Sequence, residues 1–273
     1  MIDAHQHIWA LGRNGCAWPT EAEGPIFRDF GLVDFQAEAA PYGVTRTVLV
    51  QSQEDPRDTE WLIEVAGGEP LVAAVVGWTD LAAPDAPEHI AALAAWPKLK
   101  GLRPMVQDRV PDWYDDPALE PGLRAVVEHG LRLDALVRVT HLASLDRLAL
   151  RMPELPIVID HAAKPRIGAD GGFGEWHSAI APLATRRNVF CKLSGLLTEC
   201  AGAPAEAIEP YARSILHLFG PGRVMWGSDW PVLELASTYG EWLNLVRTLV
   251  PIAAQKDVFG RTAARFYGVE QAP

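Results

Sequence analysis

Three cysteines, Cys16, Cys191 and Cys200, are all that 273 residues contain, and no two stand in a CxxC pair. An odd, unpaired set argues against a disulfide framework and points to a reducing, cytoplasmic setting. Cys191, inside the apolar run Val189-Phe190-Cys191, reads as a small buried hydrophobe. No window of about 20 residues is free of charge and proline, which removes a membrane span. The N-terminus lacks a basic segment leading into an apolar run, so no secretory signal is expected there. Basic residues are in deficit, 24 Lys and Arg against 35 Asp and Glu for a net charge of −11. Such a field repels phosphate backbones and anionic bilayers, which excludes nucleic acid and membrane surfaces as partners. No linker, composition shift or internal repeat divides the chain, so one domain over residues 1–273 is the simplest account.

What is present is a large core: 49% of residues are hydrophobic, ten of the aromatics are tryptophan, and mean hydropathy is near zero. Eight apolar, β-branched segments read as strands, at 1–9, 45–52, 71–78, 99–103, 131–136, 157–160, 189–194 and 224–227. Helical patterns follow them at 34–42 (capped by Asp34), 58–66, 86–95, 117–129, 142–151, 176–185, 205–219, 239–249 and 253–266. Residues 10–31 are rich in Gly, Pro and charge without any period, a loop placed to lie where strand 1 ends. A glycine-rich loop covers 168–174. Eight strand–helix units in about 250 residues predict an α/β fold, the (β/α)8 barrel. A doubly wound sheet would have fewer strands and often a Gly-rich phosphate turn after strand 1, which is absent.

Catalytic groups of barrels sit at the C-terminal ends of strands. Strand alternation turns His5 and His7 to one face, where two imidazoles can hold the same ion or substrate oxygen. The other strand ends deliver Gln51 and Gln53, Trp78, Arg103 with Gln107 beyond it, Asp134, Asp160-His161 with Lys164, Lys192 and Ser194, and Ser228-Asp229-Trp230. Packing alone poorly explains apolar strands that repeatedly finish in ionisable groups, because each charge must be solvated or paired. Plainer roles compete: His161 as a core histidine beside Asp160, Asp229 as a turn residue, Arg103 paired with Asp134, and Lys164 and Lys192 as solvated or ion-paired lysines.

Four motifs, DAHQHIW, VIDHAAKP, NVFCKLSG and VMWGSDWP, stand in order over residues 3–231. Together they resemble the amidohydrolase superfamily of the amidohydrolase-2 type, and within it the sugar-acid lactonase branch of L-fuconolactonase- and L-rhamnonolactonase-like enzymes. The resemblance implies a barrel that hydrolyses an ester or amide at its C-terminal mouth, with His5 and His7 as strand-1 metal ligands, His161 as the strand-6 histidine and Asp229 as the strand-8 aspartate that activates water. Two departures count against a binuclear centre: Arg103 stands where a strand-4 lysine is usual, and Asp134 where a strand-5 histidine is. They leave one divalent ion, zinc first, on His5, His7 and Asp229, or no metal.

The expected reaction is therefore opening of a sugar-derived lactone, a small-molecule substrate. Asp229 serves as general base, Arg103 and His161 stabilise the oxyanion, and Gln51, Trp78, Gln107, Trp113, Lys164 and Trp230 bind the sugar. The alternatives are a decarboxylase of an unsaturated acid, whose relatives resemble the pattern with a strand-5 histidine, and a non-catalytic barrel that binds a sugar acid. A homo-oligomer is compatible with the lactonase reading and with both alternatives.

Overall fold

The computed structural model describes residues 1–168, 172–200 and 202–270. Aliphatic and β-branched runs form eight strands: β1 (Ile2–Gln6), β2 (Arg46–Val50), β3 (Val72–Gly77), β4 (Leu99–Leu102), β5 (Arg132–Ala135), β6 (Ile157–Ile159), β7 (Val189–Leu193) and β8 (Val224–Trp226). They pair in sequence order and every pair is parallel. The last strand meets the first through a parallel bridge between Gln6 and Trp230. The His7 N–H donates to the Trp230 carbonyl and the Asp229 N–H to the His5 carbonyl, each at 2.8 Å. This is the (β/α)8 barrel that the alternation predicts.

The helices are α1 (Leu32–Ala39), α2 (Pro56–Gly67), α3 (Ala86–Ala94), α4 (Glu120–Glu128), α5 (Leu142–Arg151), α6 (Gly172–Ala184), α7 (Glu209–Phe219) and α8 (Tyr239–Leu249), one after each strand, then α9 (Ile252–Lys256) and α10 (Thr262–Tyr267). Three local expectations are corrected. Asp34 is not the cap residue of α1 but lies a turn inside it, where its carboxylate accepts the Gly31 N–H at 2.8 Å. The helix expected from 205 begins as a 3-10 turn and becomes α-helical at Glu209. The helix expected over 253–266 breaks at Asp257–Arg261, which lets α10 turn back onto the barrel. Residues 169–171 of the glycine-rich loop lie outside the described residues.

Two hydrophobic regions result. A large one fills the space between sheet and helices. A smaller one fills the lower barrel, where Ile2, Ala4, Val48, Val50, Val76 and Met225 meet Phe266 and Tyr267 of α10. Above this apolar plug the interior becomes charged, with Asp134, Asp160 and Lys192 fully buried. Among the described residues, no helix is long and apolar enough to cross a membrane.

Candidate active site

At the C-terminal mouth the ends of β1, β6 and β8 converge. His5 Nε2 lies 3.1 Å from His7 Nε2, and the two stand 3.6 and 3.3 Å from Asp229 Oδ1. His161 Nε2 approaches the same oxygen at 3.8 Å. Three imidazoles thus surround one carboxylate oxygen, and all four side chains are buried.

Local structure fixes each group. Asp3, on β1, accepts the backbone N–H of His5 at 3.1 Å and of Ser228 at 2.9 Å, while Tyr239 of α8 donates to its other oxygen at 2.9 Å. Gly227 lets β8 lie against His5, because a Cβ there would sit 2.6 Å from the His5 Cβ. Asp229 has a φ of 60°, and the run His161, Ala162, Ala163, Lys164 holds φ values of 51, 50, 64 and 48°. Side chains enter this left-handed region at a cost, and such residues cluster at functional sites. The Trp176 indole N–H anchors the run by donating to the Ala162 carbonyl at 2.7 Å.

Burial holds His161 down, to a pKa of about 4, against the opposing pull of Asp229 and Asp160. It likewise holds His5 well below its ordinary value, with Lys192 acting in the same direction and Asp160 pulling against both. Burial pushes the Asp229 carboxyl up, but the surrounding imidazoles outweigh it and keep the group well below the usual carboxylate range. Burial thus disfavours the protonated forms of His5 and His161, while Asp229 is held as a carboxylate.

Beneath it lies a buried charged layer. Lys192 Nζ contacts Asp134 Oδ2 at 2.6 Å, Asp160 Oδ1 at 3.0 Å and His5 Nδ1 at 3.1 Å. Tyr267 donates to Asp134 at 2.6 Å. Arg103 Nη1 lies 3.6 Å from Asp160, and Arg103 also donates to the Gln51 carbonyl. Arg103 therefore pairs with Asp160, and the pairing with Asp134 is corrected: Lys192 occupies that carboxylate. The two cations and the two anions of this layer balance, which leaves the Asp229 charge uncompensated among the imidazoles. Imidazole nitrogens beside an anionic oxygen make a donor set that fits a divalent cation. His5, His161 and Asp229 each offer an atom within 4.8 Å of the others, so His161 joins the ligand set expected from the sequence.

A cavity of about 360 Å3 opens above, within the range of small-molecule sites. Of the expected site residues, His7, Arg103, Gln107, His161, Lys164 and Asp229 line it. Four expected sugar contacts are placed elsewhere. Trp230 is buried against Phe30 and Phe35, its indole N–H on Glu234 at 2.8 Å. Gln51 is buried and spends its amide N–H on the Arg103 carbonyl at 2.9 Å. Trp78 and Trp113 line a separate cavity of about 180 Å3 that shares Met105 with the first.

Residues 2–269 match the amidohydrolase family. The chain belongs to that family. This amidohydrolase is 48% identical to an L-fucono-1,5-lactonase of Burkholderia ambifaria, over 99% of its own length and 96% of that protein. It is 32% identical, with the same coverage, to an L-fucono-1,5-lactonase of Burkholderia multivorans. The crystal structure of a Burkholderia multivorans amidohydrolase with bound zinc superposes with a TM-score of 0.92 at 33% identity, covering 98% of this chain and 99% of that one.

Several lining residues of the amidohydrolase were not legible from strand ends. Trp18, in the loop after the two histidines, is held by Gln53, whose amide accepts the Ala17 and Trp18 N–H groups and donates to the Trp18 carbonyl at 2.7 Å. Ser52 stands at the corner that Asp58 braces through the N–H groups of Ser52 and Gln53. The position of residues 10–31 directly after His7 was the available signal for Trp18. Ser52 and Leu136 close the strands expected at 45–52 and 131–136 but carry no ionisable group to mark them, and nothing local pointed to Met105 or Val232.

Proposed function

We propose that Asp229, His161 and Arg103 are the catalytic residues with which this amidohydrolase opens sugar-derived lactones, L-fucono-1,5-lactone first and L-rhamnonolactone next. The observation that carries the reading is the ionised Asp229 with three imidazoles around it, in a cavity that the Arg103 guanidinium also lines. Water gives a proton to Asp229 as its oxygen attacks the ring carbonyl. The oxyanion is met by Arg103 and His161, at a few kcal/mol per donor. The ring C–O bond then breaks, and the departing oxygen takes the proton back from Asp229 to leave a hydroxy acid. An aspartate is a weak base, but a lactone is an activated ester that does not need a strong one.

His5, His7, His161 and Asp229 would hold a single divalent ion, zinc by the nitrogen-rich donor set. When bound it would polarise the carbonyl. The Ser194 hydroxyl, 2.9 Å from His161 Nδ1, can donate or accept, so His161 can present either an N–H or a bare nitrogen to the cavity.

The substrate is uncharged around its ring. Of the two cations that line the cavity among the described residues, Lys164 is held by Glu199 at 2.7 Å and Arg103 faces Asp160 at 3.6 Å, so a carboxylated lactone would have to compete with Glu199 for Lys164. Gln107 and Ser52 supply hydroxyl contacts, and Trp18 supplies the flat apolar face. The decarboxylase alternative loses support, because Asp134 stands in place of the strand-5 histidine and is committed to Lys192 and Tyr267. We read the chain as one domain, and its free cysteines fit a reducing cytoplasm.

The test is a pH-indicator assay of aldonolactone hydrolysis with Asp229→Asn. A fall in kcat of at least about a thousandfold with an unchanged circular dichroism spectrum is expected. Near-full activity of the variant would remove the mechanism.

A further inference from the structure

The three imidazoles at the mouth are backed differently. A histidine that holds a metal through one ring nitrogen nearly always donates its other N–H to a carboxylate, a carbonyl or a hydroxyl behind it. His7 meets that requirement: its Nδ1 lies 2.8 Å from the Val50 carbonyl, which can only accept. His161 meets it through the Ser194 hydroxyl. His5 does not. Its Nδ1 faces the Lys192 ammonium at 3.1 Å, a group that can only donate, while Asp160 Oδ1 lies farther off at 3.5 Å. Lys192 is itself held at that place by Asp134 and Asp160 and is fully buried.

We propose that Lys192 is a positioning residue that makes His5 Nδ1 an acceptor, puts the His5 proton on Nε2, and so lowers the affinity of this site for a divalent cation. The hydrogen bonds then run consistently through the cluster. Lys192 donates to His5 Nδ1, His5 Nε2–H donates to His7 Nε2 at 3.1 Å, and His7 Nδ1–H donates to the Val50 carbonyl. For His5 to offer a bare Nε2 to a cation, its proton must move to Nδ1, where it would confront the ammonium, unless the ring turned to Asp160. The preference is thus built into a residue of β7, a strand that contributes nothing directly to the ligand set. The inference rests on the reading of this cluster as a cation site.

Two measurements test it. The first uses the unaltered, metal-free protein: long-range 1H–15N correlation of the imidazoles should give His5 a protonated Nε2 and a bare Nδ1, and the opposite tautomer would overturn the proposal. The second is zinc affinity by chelator competition for Lys192→Met and for the double variant Lys192→Met/Asp134→Asn. The double variant keeps the net charge of the parent and leaves no unpaired aspartate at position 134 if the single variant fails to fold. The double variant, folded by circular dichroism, should bind zinc at least about tenfold more tightly than the parent. Equal or weaker binding overturns the proposal. Lack of zinc binding by every variant overturns it as well, and an Nε2-protonated His5 would then locate the fault in the reading of the cluster as a cation site.

Discussion

Asp3 on β1 accepts the backbone N–H of Ser228 beyond β8 at 2.9 Å, so one buried carboxylate ties the first strand of the barrel to the last. The same oxygen accepts the His5 N–H, and the other accepts the Tyr239 hydroxyl. Asp3→Ala would strand two buried N–H groups and a hydroxyl. Chemical denaturation should show a loss of about 2–4 kcal/mol, and lactonase activity should fall with it, since His5 and Asp229 flank these two amides.

Gly195 gives a second prediction. Its φ is +59°, and a Cβ there would press on the His161 ring, 2.7 Å from Cγ, and stand 3.0 Å from Asp229 Oδ2. Gly195→Ala should cost about 1–3 kcal/mol in stability through backbone strain and displace His161 from Ser194. A kcat reduced by tenfold or less would show that His161 does not need this position.

Stability should depend on Asp58 in mildly acid solution. Burial raises its pKa to about 6 from 3.8, against the Ser52 and Gln53 amides and the nearby Arg103, with Asp55 adding to the rise; Cys16 also lies close enough to feel its charge. Between about pH 4 and pH 6 the folded chain then holds a proton that the unfolded chain has lost, so the Asp58 contribution falls as pH rises through this window and levels off above it. Asp3 is raised to about 6 by burial as well, so the variant must be compared with its parent. Urea unfolding of Asp58→Asn relative to the parent should show a stability difference that shifts in favour of the variant by up to about 3 kcal/mol from pH 4 to pH 6.5. A constant difference would mean that Asp58 does not titrate there.

Glu199 tests substrate charge. Its ion pair with Lys164 neutralises a cation of the cavity wall. Glu199→Gln should leave kcat/KM for an uncharged aldonolactone within a few fold and raise it for a carboxylated lactone by about tenfold, the effect of one partly buried charge pair. A loss on both substrates would assign Glu199 to structure alone.

The sequence by itself determined the barrel and the groups around Asp229. Strand alternation and apolar runs are local properties, and in a parallel barrel each strand end must deliver its next residue to the same mouth, so His5, His7, Arg103, His161 and Asp229 could be placed together from spacing and motif. Partnership was decided only by the tertiary structure. Whether Arg103 meets Asp134 or Asp160, whether Lys164 is free or bound to Glu199, and whether Trp230 faces sugar or Phe30 depend on which of several strand-end groups are closest across a closed interior, a distance no local pattern encodes. The same holds for Lys192. Its sequence reads as an ion-paired lysine, and closure of the barrel set it between two aspartates and the back of His5.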